Sequence, residues 1–589
     1  MKSVTRYLTR ILSGTLLAGL VAFHFGCQRT ATALGWYADA ADDSPRAAIA
    51  AAHPLASEAG MEMIRNGGNA IDAALAAAFM LSVVEPHAGG PGGGGFILFH
   101  DAETGVQRFL DYRERAPASL LPDHFTGDDG FDSAVLRSGG LAVATPGMVR
   151  GLLLVHAQEG NLSLSQVVAP AVRAAEEGFP VSSQLAGLAG DRFDMLADDE
   201  AAAEIFLTDG IFPIEEGQTI ENPALGETLR AIGEDGESAF YSGERAESLV
   251  ETVQAAGGIL EMEDLAAYAP TWRTPLRGEY RGYEIVTIGP PSAGGIQVLL
   301  MLSVLEGYDL SGMNPNDPEV LALLLASGEA ALNLAREHVG DPDHMSVSVS
   351  DLLSQDRVEE ICSRIDLEPA EAVASPARDR TPLLAGVDDG NTTHLSVVDR
   401  EGNAVALTQT INFFFGSGVF DGGMGIMLNN EMADFDVTEG SPNFPEARKI
   451  PRSSMTPVLV LRDGELVGTL GSPGATRIPL AVVRILSGKI DFGLPLEEAI
   501  DLPRVFADTG PARVSYEGRL DESAVEQALS LVEMQEGDYS IREMADFHHY
   551  FGGAHAAWIA LREDGTAFLE AAADQRRDGE ARVLSPEED

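Results

Sequence analysis

The stretch Ala70–Val83 places apolar side chains on nearly every face of a helix. It has no side to offer to water, so the chain must fold around it as a buried helix. The helical pattern itself runs from Pro54 to Val84, punctuated by Asn66-Gly67-Gly68-Asn69. A glycine run, Gly89 to Gly95, follows it and leads into the short apolar strand Phe96-Ile97-Leu98-Phe99. Gly90 to Gly95 formally satisfies the GxGxxG spacing of dinucleotide sites. That fingerprint needs a strand before the glycines and a helix after them. Here the order is reversed, so the run reads as a loop that lets two backbones approach closely.

Residues 141 to 300 alternate helical stretches with short strands such as Glu284–Ile288. Between 345 and 391, Ser, Asp, Pro and Arg accumulate and the segment ends in Asp388-Asp389-Gly390-Asn391. The last part of this segment reads as an exposed, mobile connector. Beyond it, period-two patterns dominate. Thr393–Val398 and Ala404–Thr408 form one hairpin about the turn Arg400-Glu401-Gly402-Asn403, and Pro457–Leu461 with Glu465–Leu470 form another about Asp463-Gly464. No internal repeat occurs, and the interspersed helices and strands give a mixed α+β class.

The 39 basic and 91 acidic residues leave a net charge of -52. Nucleic acid is excluded as a partner, because phosphate contacts need clustered Lys and Arg. The acidity is spread along the chain and lysine occurs only at Lys2, Lys449 and Lys489, a pattern that keeps a surface hydrated in high salt. At the N-terminus, Lys2, Arg6 and Arg10 precede the apolar run Ile11–Phe25, which is short for a membrane span and fits an export signal. Two processing readings stand. One is peptidase cleavage near Ala31-Thr32-Ala33, giving a signal of residues 1–33. The other is lipid attachment at Cys27, against which His24 stands where such sites usually carry Leu. Either way the protein is expected outside the cytoplasm, periplasmic or on the cell surface. Cys362 then remains as the one other cysteine, so no disulfide is expected within the mature chain. No His/Cys cluster has metal-ligand spacing, so neither a metal nor a cofactor is expected.

Thr392, directly after the connector, carries the chemistry. A threonine hydroxyl is a weak nucleophile without an adjacent base. Were the chain cut before Thr392, its new α-amine, with a pKa near 7.7–8.0, would lie within reach of its own hydroxyl. On pattern alone, Thr392-Thr393-His394 reads as no more than the start of a strand. The surrounding residues decide between the two. Thr392 to Asp399, Leu407 to Asn412, Leu428-Asn429-Asn430-Glu431-Met432, Asp434-Phe435, Arg452-Ser453-Ser454-Met455 and Gly471-Ser472-Pro473-Gly474 resemble the small subunit of gamma-glutamyltranspeptidases, in family order. Other segments are similar to family segments too, among them Ala52–Ser57, Val84-Glu85-Pro86-His87, Asp111-Tyr112-Arg113-Glu114, Pro290–Gly295 and, late in the chain, Arg576-Arg577-Asp578-Gly579.

This resemblance implies an N-terminal-nucleophile hydrolase fold, a four-layer αββα sandwich. It implies self-cleavage between Asn391 and Thr392, giving a large subunit of residues 34–391 and a small subunit of 392–589. It implies that Thr392 attacks a gamma-glutamyl amide and that Thr410 hydrogen-bonds Thr392. The backbone N–H groups of Gly474 and Ala475 would stabilise the oxyanion. Arg113, Ser453 and Ser454 would bind the donor's α-carboxylate, while Glu431, Asp434 and Asn412 would hold its ammonium. Three departures stand out. Ala475 replaces a second glycine, Ala433 replaces a frequent acidic residue, and the stretch Phe435–Arg452 is short where relatives carry a lid. An open cleft is expected. Glutathione is the default donor, with water or an amine as acceptor. Poly-gamma-glutamate, an acylated beta-lactam, or a non-catalytic binding lipoprotein are the alternatives.

Overall fold

Strands with apolar residues on both faces are satisfied only between two layers. The computed structural model, which describes residues 46–127, 130–367, 378, 391–436, 438–509, 512–535, 539–562 and 566–585, sorts the strands in this way. The export signal, Cys27 and the end of the connector up to Gly390 lie outside the described residues.

Two large sheets, antiparallel throughout, form the centre. The first contains β1 (Ala47–Ala51), β2 (Gly94–Asp101), β3 (Val106–Asp111), β4 (Thr271–Arg273), β7 (Thr393–Val398), β8 (Ala404–Thr410) and β13 (Glu580–Leu584). Their spatial order is β4-β3-β2-β8-β7-β1-β13. The second contains β5 (Leu276–Tyr280), β6 (Tyr283–Thr287), β9 (Val458–Arg462), β10 (Glu465–Gly471), β11 (His555–Leu561) and β12 (Ala567–Ala573), in the order β5-β6-β9-β10-β11-β12.

The two-residue period assigns alternate side chains to different cores. Ile97 and Phe99 of β2 join the outer core under the helices, whereas Phe96 and Leu98 join the core between the sheets. In β7, Leu395 and Val397 likewise face outward. His394 faces the second sheet, packed where a side chain on Gly471 of β10 would otherwise go. Helices α1 (Pro54–Arg65), α2 (Ala70–Val84), α3 (Leu164–Glu177) and α4 (Pro223–Asp235) cover the first sheet. Helices α5 (Gly294–Glu306), α6 (Pro318–His338) and α7 (Ile478–Ile490) cover the second. The αββα sandwich expected from the sequence is the result.

Helix α2 is buried along its whole length, as its apolar faces require. Its start is set by Asn69, whose side chain accepts from the N–H groups of Ile71 and Asp72 while Asp72 accepts from Asn69 in return. The glycine loop after α2 has the anticipated purpose. A Cβ on Gly93 would lie 2.1 Å from the carbonyl oxygen of Thr410, so only glycine lets β8 close over this loop.

Candidate active site

The β7–β8 hairpin pairs Thr393 with Gln409, which sets the 391–392 peptide beside Thr410. Thr392 Oγ1 donates to the Asn391 carbonyl oxygen at 2.5 Å. Thr410 Oγ1 donates to the same oxygen at 2.7 Å and itself accepts from Asn412 N–H at 2.7 Å. In the uncut chain the Thr392 and Thr410 hydroxyls thus converge on one carbonyl, that of the 391–392 peptide. The hairpin register sets Thr410 opposite Thr392, with its hydroxyl turned to the carbonyl just before that residue.

A small cleft opens beside this peptide, lined by Arg113, Thr392, Asn412, Asp434, Ser453, Ser454 and Ala475 among others. These residues come from separate places in the chain. Arg113 follows β3, Asn412 follows β8, and Glu431 with Asp434 form one short 3-10 turn. Gly474 and Ala475 precede α7, both at positive φ, 129° and 52°. The strain anticipated for an alanine at this position is therefore real. Among the described residues, the N–H groups of Gly474 and Ala475 have no hydrogen-bond acceptor. Gly474 itself sits against Gly552, and Ala475 borders the cleft.

Arg113 is fully buried. Its guanidinium lies 2.5 Å from Asp434 Oδ2 and 2.7 Å from Glu431 Oε2, and it donates to the carbonyls of Pro451 and Arg452 at 2.9 Å each. Burial alone would lower its pKa, but Glu431, Asp434 and Glu114 outweigh that and hold it firmly protonated. Burial raises the Glu431 carboxyl well above the carboxylate range despite the arginine beside it. Asn412 Nδ2 donates to Asp434 Oδ1 at 3.1 Å, which orients that carboxylate. The groups expected to bind a donor's carboxylate and ammonium thus contact each other directly, because opposite charges in a buried site pair at short range. Ser453 Oγ accepts from Met455 N–H at 3.1 Å, which leaves its proton free to point elsewhere.

Residues 438–452, the stretch read as short from the sequence, are tied down. Phe444 packs against Phe125 and Phe131, and Asn443 Nδ2 donates to the Asp434 carbonyl at 2.7 Å. Two side chains given no role from sequence, Glu85 and Arg577, stand directly behind the 391–393 segment. Both lie in stretches that match the family, but nothing in their spacing pairs them.

A threonine at the mouth of a central strand in an αββα sandwich, with an unengaged N–H pair alongside, defines an N-terminal-nucleophile hydrolase. Residues 56–584 match the family described as gamma-glutamyltranspeptidase. The chain is 36% identical to a glutathione hydrolase proenzyme of Bacillus subtilis (strain 168), covering 85% of this chain and 87% of the relative. It is 35% identical to a glutathione hydrolase proenzyme of Escherichia coli (strain K12), covering 84% and 86%. Among solved structures it is similar to the cephalosporin acylase from Bacillus halodurans, with a TM-score of 0.78 at 26% identity over 92% of this chain and 96% of that one. The chain belongs to the gamma-glutamyltranspeptidase family, and with it to the N-terminal-nucleophile hydrolases and transferases.

Proposed function

We propose that this protein is an exported precursor that cuts itself between Asn391 and Thr392. It then transfers gamma-glutamyl groups from glutathione and related amides to water or an amine. The observation that carries this reading is the convergence of Thr392, Arg113, Asn412, Asp434, Ser453, Ser454 and Ala475 in one cleft. The names of the Bacillus subtilis and Escherichia coli relatives, both glutathione hydrolase proenzymes, support it.

Self-cleavage begins with Thr392 Oγ1 attacking the Asn391 carbonyl carbon, which closes a five-membered ring. The Thr410 hydroxyl, 2.7 Å from the carbonyl oxygen, stabilises the charge that develops there. The C–N bond then breaks, the hydroxyl proton ends on the new amine, and water hydrolyses the resulting ester. In turnover, the free α-amine of Thr392 takes the hydroxyl proton as Oγ1 attacks the gamma carbonyl of the donor. The N–H groups of Gly474 and Ala475 face the oxyanion, and the amine leaves with the transferred proton. Water or a second amine releases the gamma-glutamyl group from Thr392. Arg113 with Ser453 and Ser454 binds the α-carboxylate, and Asp434 with Glu431 and Asn412 binds the ammonium.

The test is the intact mass of purified protein under denaturing conditions, with Thr392→Ala alongside. Two chains meeting at Asn391/Thr392, absent in the variant, followed by release of glutamate from glutathione, support the proposal. A single uncut chain in the wild type sinks it. A second reading, an acylase for side chains of beta-lactams, is favoured by the likeness to the cephalosporin acylase and by the tied-down 438–452 segment. Comparing kcat/KM for glutathione and for an acylated cephalosporin decides between them.

A further inference from the structure

Every polar atom of Asn391 is engaged. Its N–H donates to the Asn412 carbonyl at 2.5 Å and its Nδ2 to the His87 carbonyl at 3.1 Å. Its own carbonyl accepts from Thr392 and Thr410, and its Oδ1 accepts from Arg577 Nη1 at 2.5 Å. The same Nη1 also donates to the Thr392 carbonyl at 3.1 Å. One guanidinium nitrogen thus bridges the side chain before the scissile bond and the carbonyl after it. Thr393 is fixed from the same side, with its Oγ1 donating to Glu85 Oε2 at 2.7 Å.

A buried arginine is ordinarily a structural cation, and two neighbours show what that looks like. Arg504 and Arg576 give their guanidinium protons directly to carboxylates, at 2.6 Å to Asp574 and 2.5 Å to Glu517. Among the described residues, Arg577 donates to no carboxylate. The negative charge that balances it comes at longer range, first from Glu85 and then from Asp574. Its path is built into the fold, because a Cβ on Gly553 would lie 2.6 Å from Arg577 Cγ. This arginine is placed to hold the 391–392 peptide.

We infer that Arg577, balanced by Glu85, is a positioning residue for Thr392 both in self-cleavage and in turnover. The inference rests on the proposed self-cleavage. Before the cut, Arg577 fixes Asn391 and the Thr392 carbonyl so that the hydroxyl lies over the scissile carbonyl. Cleavage removes the Asn391 contact. The Thr392 contact persists, and it holds the residue's backbone so that hydroxyl and amine stay aimed at the cleft. Small displacements of a nucleophile are costly, up to about a hundredfold for an ångström.

The experiment compares full-length wild type, Arg577→Met, Arg577→Lys and Asn391→Ala, following precursor cleavage over time and then kcat and KM of the cut protein. Arg577→Met is expected to cut about tenfold or more slowly, and once cut to show kcat lowered by a similar factor with KM for the gamma-glutamyl donor unchanged. Asn391→Ala is expected to cut slowly but to reach wild-type kcat once cut. Arg577→Lys, which keeps the charge and one donor group, recovers part of kcat and carries the test where Arg577→Met does not fold. Cut Arg577 variants with wild-type kcat, or with raised KM at unchanged kcat, overturn the inference. A wild type that never cuts sinks the proposed function, whereas a wild type that cuts alongside indifferent Arg577 variants sinks only this inference.

Discussion

Two clusters of buried charge in this molecule are built on opposite plans. Around Asp574 and Glu517 every carboxylate oxygen is hydrogen-bonded. Arg576 donates to Glu517 at 2.5 and 2.8 Å and to Asp574 at 2.9 Å, and its remaining protons go to the carbonyls of Ile500 and Leu502. Asp574 also accepts from Arg504 and from the N–H groups of Ala554 and Arg576. Around Arg113 three carboxylates share one guanidinium. Both oxygens of Glu114 lack a hydrogen-bond donor, and Glu431 lies close to Arg113 without hydrogen-bond geometry. A closed cluster needs nothing added to it, and it stabilises the fold. An open cluster beside a cleft, with carboxyl oxygens that still lack a donor, is suited to a group from outside that brings N–H donors, such as a donor's ammonium.

The contrast is broken most directly at Asp574. Asp574→Asn should cost about 3–5 kcal/mol of stability in urea unfolding, because it strands two buried arginines. A variant that kept its stability and changed KM instead would erase the distinction. At the other cluster, Asp434→Asn should weaken donor binding by about 1.5–3 kcal/mol, seen as a raised KM, with much less effect on unfolding. A large loss of stability there would make it a second structural cluster.

The clusters should also differ in the sign of their pH dependence. Burial raises the Asp574 carboxyl, but Arg504, Arg576 and two backbone N–H groups outweigh it and hold it well below its ordinary 3.8. Its contribution is present above pH 3.8 and is lost as the pH falls toward the folded value. Burial pushes the Glu114 carboxyl up from 4.5 to about 8, against the pull of Arg113. Stability tied to its neutral form is complete below pH 4.5 and lost as the pH rises through about 8. Unfolding free energies measured across pH should therefore lose their acid limb in Asp574→Asn and their alkaline limb in Glu114→Gln. Matching limbs would contradict the assignment. The smallest effect is expected at Ala475, whose φ of 52° strains an L-residue. Ala475→Gly should gain at most about 1 kcal/mol and leave kcat within a factor of two, as measured by thermal melting and steady-state turnover.

Local features were readable from the sequence because their causes are local. Helix α2 was visible in its unbroken apolar faces, the break before it in Asn66-Gly67-Gly68-Asn69, and the β7–β8 hairpin in its alternation. The glycine loop could be separated from a nucleotide site by the order of helix and strand. What the sequence did not reveal depends on distant pairs. Arg113 meets Glu431 and Asp434, and Arg577 meets Asn391, only after both sheets have formed. The acceptor that Thr392 and Thr410 share, the Asn391 carbonyl, was not legible either, since it depends on how the 391–392 peptide lies against the end of β8.

The order of strands in the first sheet bears on how long such a protein lasts. Strands β7, β8 and β13 come from beyond residue 391, and β1, β2, β3 and β4 from before it. Strand β1 is held on one side by β7 and on the other by β13, while β8 is bonded to β2. A cut at 391 therefore leaves two polypeptides interwoven by three hydrogen-bonded ladders in this sheet, with another between β6 and β9 in the second. Separating them means unfolding both sheets. The lifetime of the cut pair is then set by the unfolding barrier of the whole sandwich and is insensitive to dilution.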